Sequence, residues 1–217
     1  MLMKTRSLFA STILLAGILL TGCATEQRSI SESNPEQPIE LGRLSFLPPP
    51  GEGWEGWKDT TYPLEYVLFK KSGGENKPVF GVMVWQYRTD DPLTSEDDLW
   101  AYILQPYRDT VDADKRRNIS KPECDHDESL TRVGLRCKVK GTLDFEKSYF
   151  EKSVWTSGLV QDGKAFEGEG HVYAFVFPDD DREIGVIEYF QQILPDVPPV
   201  DTGQRLSEFA RNVKLME

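Results

Sequence analysis

The chain has 217 residues, with 36 Asp and Glu against 25 Lys and Arg, so its formal net charge is −11. A surface this acidic argues against binding to nucleic acid or to anionic lipid headgroups through general electrostatics. The length suits one well-buried domain, which needs no metal to hold its core.

Lys4 and Arg6 form a positive start, and Leu8 to Leu20 is almost wholly apolar. That run is the length of a secretory signal core and is short for a membrane-spanning helix, which takes about 20 apolar residues. It ends in Leu20-Thr21-Gly22-Cys23, which resembles the lipobox of bacterial lipoproteins. The resemblance implies that the Cys23 thiol takes a diacylglyceryl group, that cleavage falls after Gly22 and that the new amine is acylated. Several acyl chains together anchor a protein stably, which a single one does not. Ala24, rather than Asp, follows the cysteine. By the sorting rule of such lipoproteins this implies the outer membrane, with the body facing the periplasm. Loss of residues 1–22 removes Lys4 and Arg6 and no acid, which takes the net charge from −11 to −13. With Cys23 lipidated, Cys124 and Cys137 remain as a pair, and an even count in an oxidising compartment predicts a disulfide between them.

Residues 23–40 are polar and without apolar period, which predicts a flexible tether carrying a single domain over 41–217. Leu44 to Leu47 is a predicted strand stopped by three prolines. Gly51 to Trp57, with its three glycines, suggests a turn that lays Trp54 and Trp57 against the body, either as caps on the core edge or as an aromatic binding surface. Tyr62–Lys71 and Val79–Tyr87 are predicted strands of one antiparallel hairpin, the second apolar on both faces and therefore central. Thr94 or Ser95 caps a helix whose apolar stripe runs Leu99, Trp100, Ile103, Leu104 and Tyr107, up to Pro106 as stop or kink. Lys115-Arg116-Arg117 is a basic cluster of the solvated-loop type.

Ile119–Cys124 and Arg132–Leu143 are expected to be two strands around a turn, which would bring Cys124 to Cys137. Residues 149–155 suggest a further strand, and Gly158–Gly170 a turn or mobile loop. His171–Phe177 and Ile184–Phe190 are predicted to pair about a turn at 178–182. Leu194–Val200 is a proline-rich connection. Leu206, Phe209, Ala210 and Val213 follow the helical period of a closing amphipathic helix.

The order of strands, helix, strands and helix makes this an α+β protein, an antiparallel sheet with helices packed on it. It resembles the PsbP-like α-β-α sandwich in Phe46-Leu47-Pro48 followed by Gly53-Trp54, in the hairpin and the helix after it, and in the terminal Leu206-Ser207-Glu208-Phe209-Ala210. That family holds binding and assembly factors more than enzymes.

No catalytic constellation stands out, and no cofactor or metal is expected. The only histidines are His126 and His171, neither beside a Gly-x-Ser-x-Gly elbow. The acids at Asp125, Asp127 and Glu128, and at Asp179–Asp181 with Glu183, lack the spacing of an EF-hand and suit hairpin turns. Gly51-Glu52-Gly53 opens no phosphate-cradling helix. The expected function is a membrane-anchored, noncatalytic binding or assembly factor for an envelope or secreted protein, with toxin immunity as one version. The alternative is a cell-envelope hydrolase fixed near its substrate.

Overall fold

A computed structural model of the chain describes residues 28–29, 36–60, 64–72, 77–102, 118–119, 123–131, 133–143 and 166–216. The signal segment, Cys23, the second half of the first helix with Pro106, the Lys115–Arg117 cluster and the strand expected at 149–155 lie outside them.

Twelve strands are described: β1 (Arg28–Ser29), β2 (Ile39–Leu41), β3 (Leu44–Phe46), β4 (Trp54–Asp59), β5 (Leu64–Ser72), β6 (Val79–Arg88), β7 (Asn118–Ile119), β8 (Glu123–His126), β9 (Gly134–Leu143), β10 (Phe166–Phe177), β11 (Asp180–Gln192) and β12 (Lys214–Leu215). Two helices accompany them, α1 over 96–102 and α2 (Thr202–Ala210). Nine strands form one sheet in the order β1-β4-β5-β6-β11-β10-β9-β7, with β8 also on β9, and a small sheet runs β12-β3-β2. Every neighbouring pair is antiparallel.

The apolar runs explain the layering. Side chains alternate along a strand, so a continuous apolar run feeds two cores. Tyr66 and Leu68 of β5, Met83 of β6 and Val172, Ala174 and Val176 of β10 build one core with Leu99 of α1. Val67 and Phe69, Val82 and Val84, and Tyr173, Phe175 and Phe177 build the other, against the small sheet and Leu206, Phe209 and Ala210 of α2. The two helices therefore lie on opposite faces of the large sheet, and β6 and β11 run through its middle.

Local chemistry starts and stops these elements. The Asp98 N–H donates to Ser95 Oγ (3.2 Å), and Asp98 Oδ2 accepts from the amides of Thr94 and Ser95 (both 3.1 Å). This reciprocal cap satisfies amides at the start of α1, and the Ser95 and Thr94 bonds hold the Asp98 carboxyl below its usual pKa. Asp201 caps α2, its Oδ1 accepting from Gln204 N (2.9 Å). The proline-rich stretch before α2 is clamped by Gln191, which is 1% exposed. Its Nε2 donates to Val200 O (2.8 Å) and its Oε1 accepts from Val200 N (2.9 Å), so a side-chain amide substitutes for a neighbouring strand. The β2–β3 turn is pinned by Arg43, which bonds Asp179 (2.6 Å) and Glu183 (3.2 Å) at the β10–β11 turn and lies over the Phe177 ring.

Two expectations change. The turn suggested at Gly51–Trp57 ends at Gly53; Gly51 and Gly53 have positive φ (93° and 83°), but Trp54 onward is strand β4. The loop expected up to Gly170 gives way by Phe166 to β10, where Gly168 and Gly170 are paired strand residues. Ile39 of β2 is 8% exposed, and Arg28–Ser29 pair with β4.

Candidate binding groove

Register across the large sheet places Trp54 opposite Lys71, Lys71 opposite Phe80 and Phe80 opposite Gln191. Directly opposed residues share a face, so four strands deliver one row beside α2. Between this row, the helix and the Pro49-Pro50 segment lies a groove of about 300 Å³.

Trp54 and Phe80 form its apolar walls with the two prolines, Tyr189 lies alongside, and Lys71, Arg205 and Glu208 supply charge. The indole is held in place: Trp54 Nε1 donates to Pro50 O (3.2 Å), and Lys71 Nζ lies 5.9 Å from the ring centroid. Burial raises the Tyr189 phenol's pKa, so the phenol stays a neutral donor. Arg205 Nη1 bonds Glu208 Oε2 (3.1 Å) one turn along α2. An aromatic wall with a mixed-charge rim suits an extended peptide or another protein's surface loop, because apolar contact supplies affinity and the rim supplies direction.

Trp57, the other indole that the sequence offers as a core cap or a binding surface, does not join this groove. It is three positions along β4, an odd step, and packs against the opposite core, whereas Trp54 packs on the core beneath α2. The row that begins at Trp57 runs through Leu68, Met83, Glu188 and Val172 to Cys137 and Cys124. Glu188 is 1% exposed, and its Oε1 accepts from Trp85 Nε1 (2.8 Å). An acid between Ile187 and Tyr189 in an apolar run is the sequence signal of such a buried polar contact.

Cys124 and Cys137 are bonded, with S–S 2.13 Å and Cα atoms 4.0 Å apart. They stand directly opposite in the β8–β9 register, which brings the Cα atoms closer than the 4.4–6.8 Å of most bridges. Beyond them, Asp127 Oδ2 meets Arg136 Nη2 (2.6 Å), and Arg136 also donates to Ser207 of α2 and lies over the Tyr173 ring. Burial alone would raise the Asp127 pKa; the bonds from Ser129 and the charge of Arg136 outweigh it and hold the pKa low.

The two histidines have separate partners. His126 contacts Glu96 and, through Nε2, Glu128 (3.0 Å); His171 Nδ1 bonds Thr202 Oγ1 (2.8 Å). The acids of the β10–β11 turn are matched by arginines, Asp179 by Arg43 and Asp180 by Arg88, each at 2.6 Å. Among the described residues no three His, Cys, Asp or Glu side chains are grouped to hold an ion.

These surroundings set a pH response. The hydrogen bond to Glu128 leads in raising the His126 pKa above 6.5, with slight burial opposing and Glu96 adding. A raised folded-state value stabilises fully below the unfolded value and loses that gain as pH rises through the folded one. Burial lowers the pKa of His171, so its effect is opposite: stability is present above the unfolded value and lost as pH falls. A His126→Gln variant should therefore leave a protein whose stability no longer declines as pH rises through the folded-state value of His126. An NMR titration of His126 in the wild type with its midpoint at or below 6.5 would contradict this.

No protein-family model, curated protein or solved structure matches the chain.

Proposed function

We propose that the chain is an outer-membrane lipoprotein, anchored through Cys23 with its body in the periplasm, that binds an envelope or secreted protein without catalysing a reaction. The observation that carries the binding reading is the groove of Trp54, Phe80 and Tyr189 with its charged rim. An assembly factor and a toxin-immunity protein are both versions of this reading; the acidic surface, −13 after cleavage, favours a basic partner in either case. The body is read as a PsbP-like sandwich, which agrees with helices on opposite faces of an antiparallel sheet.

The test is partner capture from detergent-solubilised envelopes with the full lipidated chain. A stoichiometric protein partner is expected, and Trp54→Ala with Phe80→Ala should weaken its binding at least tenfold, about 1.4 kcal/mol or more, as central aromatic anchors do. Circular dichroism of the variant checks that the fold survives. A partner held equally by wild type and variant would rule out the groove. A hydrolytic activity on envelope material, abolished by His126→Ala or His171→Ala, would replace binding by catalysis.

A further inference from the structure

The chain between Cys23 and the body is shorter than its composition implies. Arg28 pairs with Lys58 and Ser29 with Trp57, on the outer side of β4. Lys58 Nζ also donates to the carbonyl of Glu40 in β2. Strand β4 therefore holds both Arg28–Ser29, through its backbone, and Glu40, through the Lys58 side chain. A free 17-residue tether would have an r.m.s. reach of roughly 20–25 Å, whereas only five residue steps separate Cys23 from Arg28. Five steps span at most about 18 Å and on average about 12 Å.

We propose that this pairing seats the body edge-on against the lipid bilayer, with β4 towards the headgroups and the disulfide-locked β8 edge pointing into the periplasm. The proposal rests on the reading of Cys23 as lipidated. Charge favours the same orientation. Glu123 and Asp125 of β8 are exposed, and Asp127 and Glu128 follow them, with Lys138 and Arg136 opposite on β9, so the far edge is a strip of four acids against two bases. Anionic headgroups repel such a strip. From β4 through β5, β6, β11, β10 and β9 to β8 there are six strand spacings, about 30 Å, which puts it well beyond a Debye length. At the near edge Lys58, Lys70 and Lys71 balance Glu55, Asp59 and Glu65 on β4 and β5, so the repulsion there is small.

The test has two arms, both on the full lipidated chain. In detergent, the Arg28→Cys/Lys58→Cys pair should oxidise to a 28–58 bridge, at least tenfold more completely than the off-register pair Arg28→Cys/Glu55→Cys. In vesicles of phosphatidylethanolamine and phosphatidylglycerol, a donor dye at Glu55→Cys should transfer energy to a headgroup-linked acceptor several-fold more efficiently than one at Asp125→Cys. Equal bridging in the two pairs, or equal or reversed transfer, would overturn the edge-on seating. The mass of the mature amino terminus separates the two readings. A lipidated Cys23 without the 28–58 bridge defeats the seating alone, while an unmodified Cys23 defeats the anchor, and with it the seating, even where the bridge forms.

Discussion

Replacing Gly170 with valine is expected to destabilise the protein by about 3 kcal/mol, at the upper end of ordinary overpacking. Gly170 of β10 stands directly opposite Phe190 of β11. A Cβ at position 170 would lie 2.0 Å from Phe190 Cδ1 and 2.4 Å from Cε1, and the ring is fully buried at 0% exposed. The ring lies across the glycine and occupies the space a side chain would need. It cannot swing outward, because Val172, Val186 and Leu68 belong to the same packed cluster. The same arrangement recurs on the other face of this hairpin, where a Cβ on Gly185 would meet Cζ of its cross-strand partner Phe175 at 2.3 Å. Glycine in a strand normally weakens it, but an aromatic ring laid over the bare backbone restores the lost contact. Urea unfolding tests this directly. Adding Phe190→Leu to Gly170→Val should recover part of the loss, because the two positions share one space. A single variant within 0.5 kcal/mol of wild type, which is the ordinary surface range, would show that the ring does not depend on the glycine.

This pairing also explains which parts of the fold could be read in advance. Strands β5, β6 and β11 and the second half of β10 carry mostly apolar runs, and α2 carries Leu206, Phe209 and Ala210 at helical spacing; such periods are local and visible. From sequence alone, Gly56, Gly168 and Gly170 make strand β4 and the start of β10 look like turns. What distinguishes these from the true turn residues Gly51 and Gly53 is backbone φ, together with a cross-strand partner at Gly170, some twenty residues away. No local window contains that partner. The groove divides in the same way. Trp54 stands out in the sequence, and its odd spacing from Trp57 already implies opposite faces once residues 54–59 are known to be a strand. Lys71, Phe80, Tyr189 and Arg205 come from four other elements, and only the register unites them. The α+β class, with helices on an antiparallel sheet, follows from element order alone. The return of residues 28–29 to the β4 edge has no apolar signature, since it is made by backbone hydrogen bonds that any polar sequence can form.

Removing the bridge with Cys124→Ala/Cys137→Ala is expected to cost about 3 kcal/mol, from a closed loop with a sequence separation of 13 residues. Part of the cost is packing, because Cys137 is 2% exposed and joins the core of Leu135 and Val172. The rest is chain freedom, and it should be local. Strand β8 has only four residues, three of them exposed, so little apolar burial holds it to β9. Once the sulfurs part, the ties that remain include the β8–β9 ladder, the bond from Asp127 N to Gly134 O (3.0 Å), the Asp127–Arg136 pair (2.6 Å), the donations from Ser129 Oγ and Leu130 N to Tyr173 Oη (3.2 and 3.0 Å) and the contact of His126 with Glu96. Strand β8 buries little apolar surface and its His126 contacts are exposed and contribute little, so the hairpin should open in segments rather than with the whole fold. Hydrogen exchange will separate the two outcomes: the amides of residues 123–126 should lose protection while those of the central β6–β11 pair keep theirs. Dithiothreitol on the wild type should give the same pattern, apart from the packing loss that the alanines add. Uniform loss of protection across both regions would make the bridge a support of the entire sheet. Thiol labelling of both cysteines in the unreduced wild type would mean that the register, and not the bridge, is what brings them together.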